Sequence, residues 1–327
     1  MRVHPVIELL RARAATGSKP GARADPERLA LVVEGGGMRA VASCAMTEAL
    51  ERGGLTSCFD FVVGCSAGAL NAAAFLAGVA GGCRTEYSGA FASRRFINPY
   101  RLLLGKPAVD VDYALDLASQ GLDAHRHERT IASPIPLHCI ATDVETTEAV
   151  ALTDLRTLPE LRQALLASSR LPWVGGQPVE FRGRRWLDGG LIEALPLDTA
   201  LRLGATHVLV LQTRPEGVHL PSFEGFADRL AEDRLRAHNP RLVERYRERG
   251  RAYEQLTQEI LRMEREPRGA PPFVLGLRPP ATAPTLGMFE RRAEVVRAVA
   301  EASLHHAMQA VVSPALAAPG RAVGATG

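Results

Sequence analysis

The sequence predicts an α/β fold with a mostly parallel central sheet, and three observations carry that expectation. Leu29–Glu34 (LALVVE) is a short apolar run stopped by three glycines, and a second run, Phe59–Val63 (FDFVV), ends at Gly64. Each run is followed by a stretch of helical composition, about Met38–Arg52 and Ala67–Ala80. Apolar runs of this length bounded by glycine read as strands buried on both faces, as parallel sheets require. Strand, glycine turn, helix, strand, sharp turn, helix puts both turns at the same sheet edge.

The other elements follow in order. Residues 1–27, rich in Arg, Ala, Gly and Pro, are expected to form a loose leader. Gly53 and Gly54 close the first helix. Leu137–Asp143 and Glu148–Leu152 read as paired strands, and Pro159–Ser169 as a helix ended near Pro172. Val179–Leu187 looks like a hairpin arm leading into Asp188-Gly189-Gly190. Pro196–Leu203 is helical and Thr206–Leu211 (THVLVL) is another buried strand. Residues 223–266 are charged and helix-prone with a break at Asn239-Pro240. Phe273–Leu277 is a last strand candidate, a helix is expected over about Phe289–Val311, and residues 313–327 are expected to be a disordered tail.

Composition excludes several function classes. The 327 residues are 46% apolar and 23% charged, as a globular core requires, and the formal net charge is only +3. That excess is too small for a nucleic-acid partner. Cys44, Cys58, Cys65, Cys83 and Cys139 are scattered and odd in number, with no CxxC spacing, so neither a disulfide framework nor a zinc site is supported. No metal or cofactor is called for, and a reducing, cytoplasmic setting is expected. The N-terminus does not read as a signal peptide, because Arg11, Arg13, Lys19, Pro20 and Arg23 fall where an apolar core should lie. No segment reaches the ~20 apolar residues that cross a bilayer. Nothing in the sequence sets an oligomeric state.

Gly64-Cys65-Ser66-Ala67-Gly68 fits G-x-S-x-G between a strand and a helix. A serine hydroxyl is a poor nucleophile unless exposed, oriented and deprotonated by a neighbour. A tight strand-to-helix turn lifts Ser66 clear of the sheet, and the following helix directs its positive end at developing charge. The competing reading is a serine that merely caps the helix.

Gly35-Gly36-Gly37-Met38-Arg39-Ala40 also joins a strand to a helix and admits two readings. One is a dinucleotide fingerprint, which expects an acid at the end of the second strand. That strand instead ends in Gly64, Asp60 stands near its beginning, and Glu34 would repel a pyrophosphate. The other is an oxyanion hole, where bare glycine N–H groups hold a tetrahedral intermediate. Arg39 then either adds positive charge there or braces the loop through a salt bridge.

A serine hydrolase needs a proton acceptor. His207, His219, His238, His305 and His306 are available for an ordinary triad, but none has a setting that marks it. Asp188 follows Trp186-Leu187 and precedes two glycines, which puts its carboxylate on a turn at a strand end. Asp-Gly turns are common, and alone this one proves little.

Together, GGGMRA, GCSAGALN and DGG resemble, in order and spacing, the bacterial patatin-like phospholipases. LVVEGGGMRAV is similar to that family's first strand and glycine loop, and FDFVVGCSAGALNAA to its nucleophile strand and helix. Ala167-Ser168 with Pro172 looks like its A-S-x-x-x-P segment, and WLDGGLIEALPLDTALRLGATHVLVL like its aspartate region. The resemblance covers roughly residues 29–213, with weaker similarity in the final strand and helix. It implies a three-layer α/β/α domain over 28–312, including the helical region 223–266, that hydrolyses acyl esters of lipids without metal. Carried over by position, Ser66 is the nucleophile and Asp188 its base in a dyad without histidine. Gly36, Gly37 and Met38 of the Gly35–Met38 loop, with Ala67, are the implied oxyanion donors. Gly35, Arg39, Gly64, Gly68, Gly189 and Gly190 support the motifs. One position departs from the family, whose loop usually closes with glycine where this chain has Ala40. A positive φ there would cost alanine roughly 1 kcal/mol, whereas a first helical turn would not.

Residues 234–251 carry seven arginines (Arg234, Arg236, Arg241, Arg245, Arg247, Arg249, Arg251) and could touch anionic lipid headgroups. The competing reading is a solvated helix laced with ion pairs. Rival functions are a histidine-dependent hydrolase, a nucleotide-dependent oxidoreductase and a catalytically silent lipid-binding protein. Headgroup and acyl length depend on cavity walls expected from residues 84–135 and 215–290.

Overall fold

A computed structural model describes residues 3–117, 125–172, 174, 176–218, 226–267 and 269–317. Its strands are β1 (Leu29–Val33), β2 (Phe61–Cys65), β3 (Leu137–Asp143), β4 (Ala149–Leu152), β5 (Val179–Phe181), β6 (Arg184–Asp188), β7 (His207–Leu211) and β8 (Phe273–Leu277). Among the described residues these form one sheet in the order β5-β6-β3-β2-β1-β7-β8, with β4 paired to β3 beside that path. The four pairings from β3 through β2, β1 and β7 to β8 are parallel. Within the sheet, the antiparallel pairings among the described residues are β3 with β4 and β6, and β5 with β6. The expected mostly parallel α/β sheet is therefore the one observed.

Alternation along β1 shows why helices cover both faces. Leu29, Leu31 and Val33 pack into a core shared with Met46, Leu50, Phe75 and Val299, on the face carrying the helices Val41–Arg52 and Ala293–Ala307. Ala30 and Val32 point the other way, toward Leu197, Ala200, Tyr253 and Ile260 on the helices Leu197–Arg202 and Arg241–Arg265. A strand buried on both faces needs apolar residues at every position, and all five residues of β1 are fully buried.

The N-terminus overturns one expectation. Instead of a loose leader, Pro5–Thr16 forms the helix α1, capped by the His4 side chain and closed by Gly17 in a left-handed conformation. Its Val6, Ile7 and Leu10 are buried, and so is Arg13, one of the bulkiest fully buried side chains in the protein. The Arg13 guanidinium donates to Asp25 (2.7 and 3.1 Å), Asp60 (2.7 Å) and the carbonyls of Cys58 and Glu27. An arginine-rich composition concealed an internal ion-pair hub.

Two helices follow the glycine turns: α2 (Val41–Arg52), entered through a 3₁₀ turn over Gly37–Ala40, and α3 (Ala67–Leu76). The expected helix over Ala67–Ala80 breaks after Leu76, and a second one runs from Ala80 to Ser88. At the other end of the chain the terminal helix is Ala293–Ala307, continuing as a wider turn and a short helix at Ser313–Leu316. The expected disordered tail thus begins with helical residues, and the part from 318 onward lies outside the described residues.

The arginine-rich segment forms two helices, Phe226–His238 and Arg241–Arg265, broken at Asn239-Pro240 as the proline dictates. Arg236 pairs with Asp233 (2.7 Å), Arg247 binds both oxygens of Glu232 (2.7 and 2.6 Å), and Arg249 lies over the Tyr246 ring. The ion-paired reading of this segment describes Arg236 and Arg247.

Candidate active site

The sheet brings two distant segments to one register position. Cys65, the last residue of β2, pairs with Ile140 of β3, while Asp188, the last residue of β6, pairs with the next residue, Ala141. Ser66 follows Cys65 directly. Its hydroxyl donates to Asp188 Oδ2 at 2.7 Å.

Each partner is held by its backbone. Ser66 adopts φ 54°, ψ −131°, a conformation that side-chain-bearing residues rarely take. Such strain costs about 1–3 kcal/mol and persists only where the surroundings enforce it. Here the enforcement is visible, since the Ser66 N–H donates to Ser168 Oγ (2.9 Å) and Ser168 donates onward to the Ile140 carbonyl (2.6 Å). Gly68 lets α3 start directly against the end of β1, where any side chain would collide with the Val33 and Glu34 backbone. Gly64 lies under Ala69 in the same crossing.

Asp188 is buried and fixed on four sides. Its N–H donates to the Arg170 carbonyl (3.0 Å), its carbonyl accepts from Thr142 Oγ1 (2.9 Å), and Oδ1 accepts from the Gly190 N–H (2.7 Å). The hydroxyl of Ser66 takes the remaining oxygen. Gly189 sits flat against Ile140. Burial pushes the Asp188 carboxyl up to about 6, against the pull of the Ser66 and Gly190 hydrogen bonds. A carboxylate with that affinity can accept a proton near neutral pH far better than a solvated one.

The glycine loop faces this pair. Gly35 packs against the Cys65 carbonyl and the Ser66 side chain. Gly36 has φ 131°, open only to glycine, and the Arg39 guanidinium folds back onto it. Among the described residues, the N–H groups of Gly36, Gly37 and Ala67 have no protein acceptor. Met38 corrects one expectation, because its N–H already donates to the Met288 carbonyl (3.0 Å) and is engaged within the protein. Ala40 has φ −65° and sits in the first helical turn, so the missing glycine is harmless.

Among the described residues Arg39 makes no salt bridge that would brace the loop. Glu34 accepts instead from Arg214 (3.0 Å), the Tyr253 hydroxyl (3.0 Å) and the Thr213 N–H (2.6 Å). Arg39 Nε has no hydrogen-bond partner. Burial lowers its affinity for a proton to about 10, and the neighbouring Arg214 charge adds to that effect. The guanidinium is held beside the glycine amides with its charge only partly offset, by the nearby Glu34 carboxylate.

Ser66 and Asp188 open into a cavity of about 350 Å³. Its walls are mostly apolar, with Leu70, Phe91, Phe96 and Ile97 contributing from one side and Leu256 and Phe289 from the other. Several come from the expected ranges 84–135 and 215–290, but Leu171, Val174 and residues 190–195 contribute as well. No histidine lines this cavity among the described residues, and His219 lies outside them. Asp60, the acid weighed for a nucleotide ribose, stands just before β2, at the end of the strand opposite Ser66, where it accepts from Arg13 and Arg23.

Two positioning residues carried no mark of their own in the sequence. Ser168 lay within a segment read only by resemblance. Buried Asn71 donates to the Ala40 carbonyl (2.8 Å) and accepts from the Tyr87 hydroxyl (3.0 Å), tying α3 to the glycine-loop helix. Neither contact follows from local pattern, because both cross between elements.

The patatin-like phospholipase family model matches residues 31–201, a stretch that includes both Ser66 and Asp188. YjjU of Escherichia coli (strain K12) is 30% identical over 196 residues, 59% of this chain and 54% of that protein. Human patatin-like phospholipase domain-containing protein 4 is 39% identical over 62 residues, 19% of this chain and 24% of its own length. The chain thus spans about half or less of the curated relatives it matches. The crystal structure of VipD from Legionella pneumophila overlaps 88% of this chain and 67% of its own, with a TM-score of 0.37 and 13% identity.

Proposed function

Because the chain belongs to the patatin-like phospholipase family, we propose that it is a serine hydrolase of lipid acyl esters, with Ser66 as nucleophile and Asp188 as its only base. Family membership supports lipid acyl hydrolysis broadly. The observation that carries the finer reading is the 2.7 Å hydrogen bond from Ser66 to a buried carboxylate, beside open glycine amides and an apolar cavity.

In the first half-reaction Ser66 Oγ attacks the ester carbonyl as Asp188 Oδ2 takes its proton. The carbonyl oxygen becomes an oxyanion held by the N–H groups of Gly36, Gly37 and Ala67, with the Arg39 charge and the start of α3 adding to the field. Collapse breaks the ester bond, the leaving alkoxide receives the proton from Asp188, and an acyl-enzyme remains. In the second half-reaction water attacks the acyl carbon, gives a proton to Asp188, and the fatty acid departs as Ser66 recovers its proton. The apolar walls would hold the acyl chain. The five buried free thiols support a reducing, cytoplasmic setting. No helix among the described residues is long and apolar enough to cross a membrane.

The test is labelling by a fluorophosphonate alongside turnover of a lipid panel. Wild type should label and hydrolyse, and Ser66→Ala and Asp188→Asn should do neither measurably. A histidine replacement that abolishes turnover, at any of positions 207, 219, 238, 305 or 306, would restore the triad reading.

A further inference from the structure

The segment 94–106 (RRFINPYRLLLGK) does two things at once. At its base Phe96, Ile97 and, just beyond it, Val109 line the cavity, and Ile97 and Val109 form a β-bridge. The Asn98 N–H donates to the Ala108 carbonyl (2.8 Å) and the Asp110 N–H to the Phe96 carbonyl (2.9 Å), which pinches the loop shut.

Beyond that neck the tip points outward. Pro99–Leu104 is a 3₁₀ turn capped by Asn98, which accepts the Tyr100 N–H, and stopped by Gly105 in a left-handed conformation. It exposes Tyr100 (71%), Leu102 (43%) and Leu104 (74%), apolar groups on a turn braced at both ends. Such exposure has a cost in water unless something covers it. The same thirteen residues carry Arg94, Arg95, Arg101 and Lys106 and no acid. Arg94 and Lys106 are exposed and have no ion pair among the described residues. Arg101 reaches Asp110 (3.6 Å) and Arg95 lies over the Tyr113 ring, so Arg94 and Lys106 are the loop cations left for a headgroup, whereas Arg236 and Arg247 of the arginine-rich helices hold intramolecular carboxylates.

We propose that loop 94–106 is the surface by which this protein docks on an anionic lipid bilayer, its apolar tip entering the acyl boundary and its cations resting on the headgroups. Apolar tips flanked by cations match the two layers of that interface, which an aqueous protein surface does not offer together. The inference rests on the acyl hydrolase reading for its purpose. A lipid lifted at this loop would meet Phe96 and Ile97, at the loop's base, as the first wall of the cavity.

Binding is measured on full-length Ser66→Ala protein, so that turnover does not alter the vesicles. Phosphatidylcholine vesicles are compared with vesicles mixed equally with phosphatidylglycerol. Mixed vesicles should bind more tightly. The triple change Tyr100→Ser, Leu102→Ser, Leu104→Ser should weaken binding at least tenfold. Arg94→Gln with Lys106→Gln should weaken it about fivefold per cation, on anionic vesicles only and only at low salt. In a Ser66 background, all these variants should hydrolyse a monomeric soluble ester at the wild-type rate. Tyr100→Trp, a single mild change, should be quenched by brominated lipid beyond the wild-type signal. Vesicle binding by the triple variant equal to its parent overturns the proposal, as does a dimer that the triple variant dissociates while vesicle binding is unchanged. Loop-dependent binding by a protein that hydrolyses no ester would leave the docking surface standing and remove the hydrolase reading.

Discussion

Ser168 Oγ accepts the backbone N–H of Ser66 at 2.9 Å while donating its own proton to the Ile140 carbonyl at 2.6 Å, and it is wholly buried in doing so. This single hydroxyl ties the strained turn of Ser66 to β3, the strand on which Asp188 finds its register. Its place is behind the proposed nucleophile, where it holds an angle without lining the cavity.

Ser168→Ala would leave two buried backbone groups without partners and release the turn. Turnover should fall about tenfold to a hundredfold in kcat, with KM nearly unchanged, because the loss is of orientation and not of binding. Fluorophosphonate labelling of Ser66 should slow in proportion. A variant that loses stability yet labels at the wild-type rate would reduce Ser168 to a packing role.

Gly36 bears two constraints, a φ of 131° and the Arg39 guanidinium lying on its open side. Gly36→Ala must rotate the loop or expel Arg39, and under the proposed mechanism either motion turns an amide away from the developing oxyanion. One lost donor is worth about 3 kcal/mol in the transition state, so kcat should drop about a hundredfold. Gly54 has a positive φ as well, but nothing stands near it, so Gly54→Ala should leave turnover intact. Equal effects of the two substitutions would remove the loop from the chemistry.

Arg13 links α1 to the start of the sheet through Asp25, Asp60 and two backbone carbonyls. Removing one partner of a buried ion-pair cluster strands the others, and Arg13→Ala should cost about 3 kcal/mol. Urea unfolding measures this directly. A loss below about 1 kcal/mol, similar to that of exposed Lys19→Ala, would mean that α1 is not anchored.

The sheet was legible because its strands announce themselves locally. LALVV and FVLGL are continuous apolar runs between breakers, and Phe273–Leu277 was read to its exact bounds. The turn at Ser66 and the loop at Gly35–Gly37 were legible for a related reason, since glycine is needed where backbones nearly touch. What stayed hidden was contact across the sequence. Arg13 falls in what reads as a loose leader, because its acids lie 12 and 47 positions away. Met38 looked like a free donor because its acceptor, Met288, belongs to a proline-flanked stretch that no periodicity describes. Tyr100, Leu102 and Leu104 had no strand or helix pattern to give them a face, and only the pinched loop shows that they point outward.

Asp188 connects chemistry to stability in opposite directions. In its proposed role as base it works only when ionised, and burial raises its affinity to about 6, so kcat/KM should fall with unit slope as pH drops below about 6. For folding, the native carboxyl keeps its proton up to about 6 while the unfolded one releases it near its ordinary 3.8. Between those values the native state binds the extra proton, and stability therefore declines as pH rises through that window. Above it the ionised buried carboxylate costs the fold about 3 kcal/mol, from the size of the shift. Asp188→Asn keeps the shape, can still accept the Gly190 N–H, and carries no charge to bury. It should be inactive at every pH, more stable than wild type near neutrality by up to about 3 kcal/mol, and no more stable below 3.8, where both side chains are neutral. Chemical denaturation at the two pH values measures the difference. A stability gain that is the same at both, or absent at neutral pH, would mean that the carboxylate is not held desolvated, and the acid limb near 6 would have to come from another group.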